Sequence, residues 1–260
     1  MDGRGDPAAV TAPPAAGAFR EHASRNTHAV AERLLRSCDG VRKVLDMPAG
    51  EGAFTRRLVG DYDVTAADVQ AVPPIAGSTS ARADMVERLP WDDGAFDAVV
   101  NIDGIEHIER QLDFVRECRR VLRPGGYLIL STPNISALRS RWRYLLTGFH
   151  NKGKVPLDET RPTPWHHVAL LSFPQLRYLL HRSGFRIMDV TTNRIKAISW
   201  VYAPLAPAAW LLTRWVFRRE EKDPAQRRRN REIAQQMFSR EVLFGEALIL
   251  RARRLRDSAP

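Results

Sequence analysis

A chain of 260 residues can bury a full core, and 44% hydrophobic with 27% charged residues is ordinary globular composition, which excludes wholesale disorder and a fibrous architecture. The formal net charge of +10 is concentrated in arginine clusters after residue 217 and in SALRSRWRYLL, so polyanions or anionic lipid headgroups stand as neighbours beside the plainer reading of a solubilising surface. Cys38 and Cys118 lie far apart with no CxxC or Cys/His cluster, so no disulfide framework and no metal site is expected, and a reducing cytoplasm fits.

Residues 1–20 carry charges where a signal peptide needs an unbroken apolar stretch, and their Pro/Ala/Gly content predicts a flexible tail. From Asn26 to Cys38, Ala29, Val30, Leu34 and Leu35 recur at helical spacing. VRKVLDM then reads as a buried strand, PAGEG as a tight turn and AFTRRLVG as a helix. YDVTAAD predicts a second strand, Ala83 to Met85 a short third, and FDAVVNID a fourth after the loop LPWDDGA. A helix follows with Ile108, Leu112, Val115 and Cys118 on one face, and the turn RPGG leads into a fifth strand, GYLILSTP. Strands alternating with helices predict an α/β fold, a Rossmann-like doubly wound sheet that is mostly parallel.

Further on, a helix starts at the N-cap Ser172 and closes at Gly184 before a sixth strand, and EVLFGEALILRARR predicts an antiparallel last strand. The span 193–240, rich in Trp, Pro and Arg, is too long for a connection and reads as a helical insertion before that strand. The expected organisation is a tail (1–20), a core (21–192), the insertion (193–240) and a last strand with a basic tail (241–260). The uncharged run Ala197–Thr213 is shorter than the roughly 20 residues of a spanning helix and is broken by Pro204 and Pro207, so no transmembrane helix is expected. No internal repeat is visible.

A turn between a buried strand and a helix lets backbone approach a ligand closely where side chains are small, and Ala49, Gly50 and Gly52 meet that need. Asp68 lies 22 residues after Asp46, where a doubly wound sheet presents an acid to the hydroxyls of a ribose. Asp84 could accept from an adenine amino group while Met85 packs on the ring. Each acid alone reads equally well as a loop or cap residue.

With these pieces in order, the sequence resembles the class I S-adenosylmethionine (SAM)-dependent methyltransferases, in particular the ubiquinone-biosynthesis-like, type 11/12 branch, over about Val41 to Val190. VLDMPAGEGAFTRRL looks like that family's first SAM motif, AADV like its ribose acid and ADMVERLPWDDGAFDAVV like its adenine loop and fourth strand. FVRECRRVLRPGGYLILSTPN is similar to its helix, turn and fifth strand. The resemblance implies SAM as cofactor, with Asp46, Ala49, Gly50 and Gly52 at its methionine end, Asp68 at the ribose, Asp84 and Met85 at the adenine, and Asn101 facing the methionine part or the substrate mouth. Pro48 departs from the pattern by standing where the family usually has a glycine.

A histidine near such a site can take a hydroxyl proton at neutral pH. His107 in GIEHIER is the first candidate, against the alternative that Glu106 and His107 only shape a helix start. His167 in WHHVALLSF is a substrate-side candidate, by resemblance. NIDG after the fourth strand lacks the Asn/Asp-Pro-Pro-aromatic run of exocyclic-amino methylation of nucleic acids, which leaves hydroxyl acceptors ahead. Trp200, Tyr202, Trp210, Trp215 and Phe217 running into Arg218 and Arg219 suit a membrane interface and a lipid-linked or glycan-precursor acceptor, or else a cap packed on the core. The protein is thus expected to be an O-methyltransferase of a small-molecule, lipid-linked or glycan-precursor hydroxyl, cytoplasmic, with a peripheral place at the inner membrane face as the membrane-interface reading implies. The alternatives are an RNA or soluble natural-product methyltransferase and a non-catalytic SAM-binding scaffold. A nicotinamide dehydrogenase fits poorly, because Pro48 spoils GxGxxG and no Tyr/Lys pair is apparent.

Overall fold

The computed structural model describes residues 23–161, 163 and 165–256. The expected flexible tail, 1–20, lies outside the described residues. In chain order the elements are α1 (Thr27–Arg36), β1 (Lys43–Asp46), α2 (Thr55–Leu58), β2 (Asp63–Asp68), β3 (Ser78–Arg82), β4 (Phe96–Ile102), a 3-10 turn (Ile105–His107), α3 (Gln111–Val121) and β5 (Leu122–Pro133). There follow α4 (Leu138–Thr147), α5 (Phe173–Arg182), β6 (Phe185–Thr191), a second 3-10 turn (Ala197–Tyr202), α6 (Leu205–Glu220), α7 (Pro224–Met237), α8 (Arg240–Phe244) and β7 (Ala247–Arg254).

The seven strands form one sheet in the order β3-β2-β1-β4-β5-β7-β6. The pairs from β3 to β5 are parallel, while β7 runs antiparallel to both β5 and β6. Side chains alternate across a strand, so Leu45, Val99 and Leu128 join the apolar cluster under α3 and α5, while Val44, Ala98, Val100 and Ile129 join the cluster under α1 and α2. Burial on both faces is what a doubly wound sheet requires.

Local chemistry sets several ends. Ser172 and Gln175 form a capping box at the start of α5, and Gly184, with φ +77, closes it. At α7 the Asp223 side chain accepts the N–H groups of Ala225 and Gln226, and Pro224 occupies the first turn, where its missing N–H costs nothing.

Five sequence expectations need correction. The third strand is Ser78–Arg82, a polar edge strand, and Ala83–Met85 follow it as loop. RPGG is not a separate turn: β5 begins at Leu122, and the register slips between Phe96 and Ala98 as the chain passes Gly125. The buried face of α3 is Phe114, Val115, Cys118 and Val121, with Leu112 half-exposed and Ile108 ahead of the helix. On α1 the buried alanine is Ala31, while Ala29 is exposed. The residues Glu241–Phe244 are helical, because the Ser239 hydroxyl caps Val242 N–H, so the last strand starts only at Ala247.

Candidate active site

β1 leads outward to β2 on one side and β4 lies on its other side, so the carboxyl ends of β1 and β4 flank a topological switch point, where open α/β sheets bind ligands. Two adjoining cavities of about 300 and 500 Å³ open there. Both are lined by Pro48, Gly50, Asp68, Asp103 and His107. The first also contains Asp46, Ala49, Glu106, Lys152 and His167, and the second adds Met47, Ala83, Asp84, Met85 and Ile108.

The turn after β1 is held by its own backbone. Ala49 N–H donates to Ala67 O at 2.9 Å and Gly50 N–H to the Asp68 carboxylate at 2.9 Å. Gly50 has φ +53 with open space where a Cβ would point, so the backbone borders the cavity bare. Gly52 has another reason to be glycine: a Cβ there would lie 2.0 Å from Ile75 Cδ1, and Gly52 lines neither cavity. Asp46 is buried and accepts the Thr55 hydroxyl at 2.6 Å. Burial pushes its carboxyl up to about 7, with Asp68 adding to the shift and Thr55 opposing it.

The loop carrying Asp84 and Met85 is fixed from α3. Arg120 donates to the carbonyls of Leu89 and Trp91 at 2.9 and 2.6 Å, and Glu117 accepts Leu89 N–H at 2.9 Å. Asp84 accepts Val86 N–H at 3.0 Å, which turns the chain so that Asp84 and Met85 both border the larger cavity.

Asn101 departs from its expected place. It is fully buried, donates to Met47 O at 2.8 Å and accepts Ile105 N–H at 3.2 Å, so it ties β4 to the β1 turn and lines neither cavity. Pro48 lies over Gly104, where a Cβ would come within 2.4 Å of Pro48 Cδ.

The other wall is a carboxylate and two imidazoles. His107 donates through Nδ1 to His166 O at 3.0 Å and His167 through Nδ1 to Lys152 O at 3.1 Å, since a carbonyl only accepts. Their rings meet edge to face with centroids 4.8 Å apart. Burial, followed by the neighbouring His107, lowers the His167 pKa. Glu106 is 0% exposed; its Oε2 accepts the Thr132 hydroxyl at 3.0 Å, and its Oε1 has no hydrogen-bond partner among the described residues. Burial and the nearby Asp103 push it up to about 8. Asp103 has φ +47, uncommon for a non-glycine, and is held by a 2.6 Å bond from the Ser131 hydroxyl. Asp103 and Lys152 line the site without any sequence motif that announces them, and for Glu106 the one local signal is an acid beside His107.

A family model described as a methyltransferase domain matches residues 45–130. The chain is 35% identical to a probable S-adenosylmethionine-dependent methyltransferase of Mycolicibacterium smegmatis, over 66% of this chain and 60% of that protein's length. It is 37% identical to a probable S-adenosylmethionine-dependent methyltransferase of Mycobacterium tuberculosis, over 69% of this chain and 68% of that one. A demethylmenaquinone methyltransferase of Mycobacterium tuberculosis is 28% identical, over 63% and 75%. The crystal structure of a SAM-dependent methyltransferase from Archaeoglobus fulgidus superimposes with a TM-score of 0.52 at 16% identity, covering 87% of this chain and 92% of that one, which speaks for the fold alone. On the strength of the sequence relatives, the chain belongs to the SAM-dependent methyltransferase family.

Proposed function

We propose that the chain transfers the methyl group of SAM to a hydroxyl. The observation that carries this reading is the continuity of the two cavities, in which the wall suited to an adenosine runs directly into the Glu106, His107 and His167 wall. The residues fit SAM: Asp68 at the ribose, Asp84 and Met85 at the adenine, and the carboxyl of Asp46 with Ala49 and the bare backbone of Gly50 toward its cationic methionine end. SAM supplies a methyl already activated as a sulfonium, which passes to the acceptor oxygen as the C–S bond breaks and sulfur keeps the electron pair. What remains for the protein is alignment and the hydroxyl proton. His107 and His167 carry Nδ1–H, so each keeps its Nε2 lone pair to accept that proton.

The acceptor we infer is lipid-linked or a glycan precursor, met at an anionic membrane surface on the cytoplasmic side. α6 has no buried residue, and Leu211, Leu212 and Trp215 are exposed, Trp215 at 56%. The exposed residues support an interfacial role for that face, while Leu205, Ala206 and Ala209 of α6 pack on the cluster of Leu138, Leu243 and Phe244, and Trp200 stacks on Phe244. A groove of about 670 Å³ between α6 and α7 is lined by Trp210, Arg214, Phe217, Arg218, Arg227 and Arg231, a lining that suits an apolar chain bearing phosphate. Among the described residues, no helix is long and apolar enough to cross a membrane.

Incubating the protein with methyl-labelled SAM and extracts separated into lipid, glycan, RNA and small-molecule fractions tests the reading. Label in the lipid or glycan fraction, held as an alkali-stable ether, supports it. Label on carbon or nitrogen overturns the hydroxyl assignment, label in RNA overturns the lipid-linked or glycan acceptor, and no label in any fraction overturns transfer itself. Co-sedimentation with anionic liposomes, weakened in an Arg218→Ala/Arg219→Ala variant, is expected of the membrane contact.

A further inference from the structure

We propose that Glu106, His107 and His167 together hold a divalent cation. One ligand atom from each lies within 4.8 Å of the others, although about 60 residues separate the two histidines. Three donors bound tetrahedrally at ~2.1 Å to one ion lie ~3.4 Å apart, so the set closes when the longest of these separations shortens by about 1.4 Å.

Two further observations point to an ion. Glu106 Oε1 is buried at the cavity wall with no hydrogen-bond partner among the described residues, and a carboxylate so placed demands a compensating charge or bond. Both imidazoles are pinned through Nδ1–H to backbone carbonyls, His166 O and Lys152 O, which is how ligating histidines are oriented with Nε2 left for the metal. The Asp103 carboxylate lines the same cavity and balances the Lys152 ammonium there. Two imidazoles and one carboxylate favour a first-row transition cation such as Zn²⁺ or Mn²⁺ over Mg²⁺ or Ca²⁺. Three protein ligands leave a coordination position open toward the cavity, the arrangement of catalytic rather than structural sites.

The role of the ion rests on the hydroxyl-methylation reading above. An acceptor hydroxyl bound at the open position becomes more acidic and loses its proton to bulk water through the cavity mouth. The oxygen bonds to the methyl carbon while the C–S bond breaks, giving a methyl ether and S-adenosylhomocysteine. In this arrangement His107 and His167 act as ligands and no longer as bases.

The test is calorimetric titration of the full chain, stripped with a chelator, with Mn²⁺ and with Zn²⁺, followed by titration with SAM. The expected result is one ion per chain in the wild type, bound ~10-fold or more weakly in His167→Ala and Glu106→Gln, since loss even of an outer-shell partner costs about 10–100-fold. Circular dichroism establishes that the variants fold, and the half-buried His167 provides a variant that tolerates truncation if Glu106→Gln does not. Equal metal affinity in wild type and a folded His167→Ala overturns the site, and SAM binding that persists there leaves the methyl-transfer reading intact. A wild type that takes up one ion at this site but gives no heat with SAM supports the metal site and overturns methyl transfer.

Discussion

Gly50 donates its backbone N–H to one oxygen of Asp68 at 2.9 Å, and Gln70 donates to the other at 3.0 Å, so the turn after β1 and the acid ending β2 close as a single unit. Removing the carboxylate therefore frees the turn and deletes the proposed ribose acceptor together. Asp68→Ala is expected to weaken SAM binding ~30- to 100-fold, about 2–3 kcal/mol, the size of one or two hydrogen bonds to a charged group. Asp68→Asn keeps an acceptor for Gly50 and should fall between. Calorimetry gives the numbers, and a wild-type affinity in Asp68→Ala would remove Asp68 from the site.

The two glycines of the same turn should behave differently. Alanine at Gly50 meets only the strain of φ +53 and is expected to cost ~1 kcal/mol. Alanine at Gly52 meets that strain at φ +80 and also places its Cβ 2.0 Å from Ile75 Cδ1, so ~2–4 kcal/mol is expected. Urea denaturation of both variants reads the difference. Equal losses would mean that the Ile75 contact is not what holds the turn.

Asp46 gives stability a pH dependence of definite sign. Its folded pKa of about 7 lies above the ordinary 3.8, so below pH ~4 both folded and unfolded chains carry the proton. Between these two values only the folded chain does, and the stability supplied by Asp46 declines as pH rises through the window and levels off above about 7. Roughly three pKa units correspond to ~4 kcal/mol at most. Unfolding free energy measured at pH 5 and pH 8 should therefore fall further in the wild type than in Asp46→Asn. Glu106, shifted in the same direction, is present in both chains and cancels from the comparison. Parallel profiles for the two proteins would show that Asp46 is ionised throughout.

Much of this site could be read from local sequence, and its failures are tertiary in origin. PAGEG between an apolar strand and a helix, and Asp68 at the next strand's end, are legible because one short segment sets both the backbone and the chemistry. β3 is illegible in the sequence because STSAR has no apolar alternation to announce it: it is an edge strand paired on one side only. EVLFGEALIL has short apolar runs on both sides of Gly245 and Glu246, and runs so short carry no period that separates the helical Glu241–Phe244 from the strand after it. Asn101 looked like a cavity residue from its place at a strand end, but its amide is consumed by Met47 O and Ile105 N. Glu106 and His167 meet because residues 166–169 pair with the 3-10 turn after β4, with Ala169 N–H donating to Glu106 O at 3.1 Å, and no local pattern encodes that pairing.

Gly104 and Pro48 explain how a proline is tolerated in the turn after β1. A Cβ at residue 104 would sit 2.4 Å from Pro48 Cδ, 2.8 Å from Pro48 Cγ and 2.8 Å from Asn101 Nδ2, all tighter than real contacts. The missing side chain on the β4 side thus makes room for the ring on the β1 side. Gly104→Ala is expected to cost ~1–3 kcal/mol and to weaken SAM binding, because the displaced ring borders both cavities. Pro48→Ala removes Cγ and Cδ, so the double variant should be less destabilised than the sum of the single ones, by ~0.5–1.5 kcal/mol. Full recovery is not expected, since the Asn101 amide still opposes the new methyl. A double-variant cycle in urea measures the coupling, and strict additivity would mean that Pro48 owes its place in the turn to something other than Gly104.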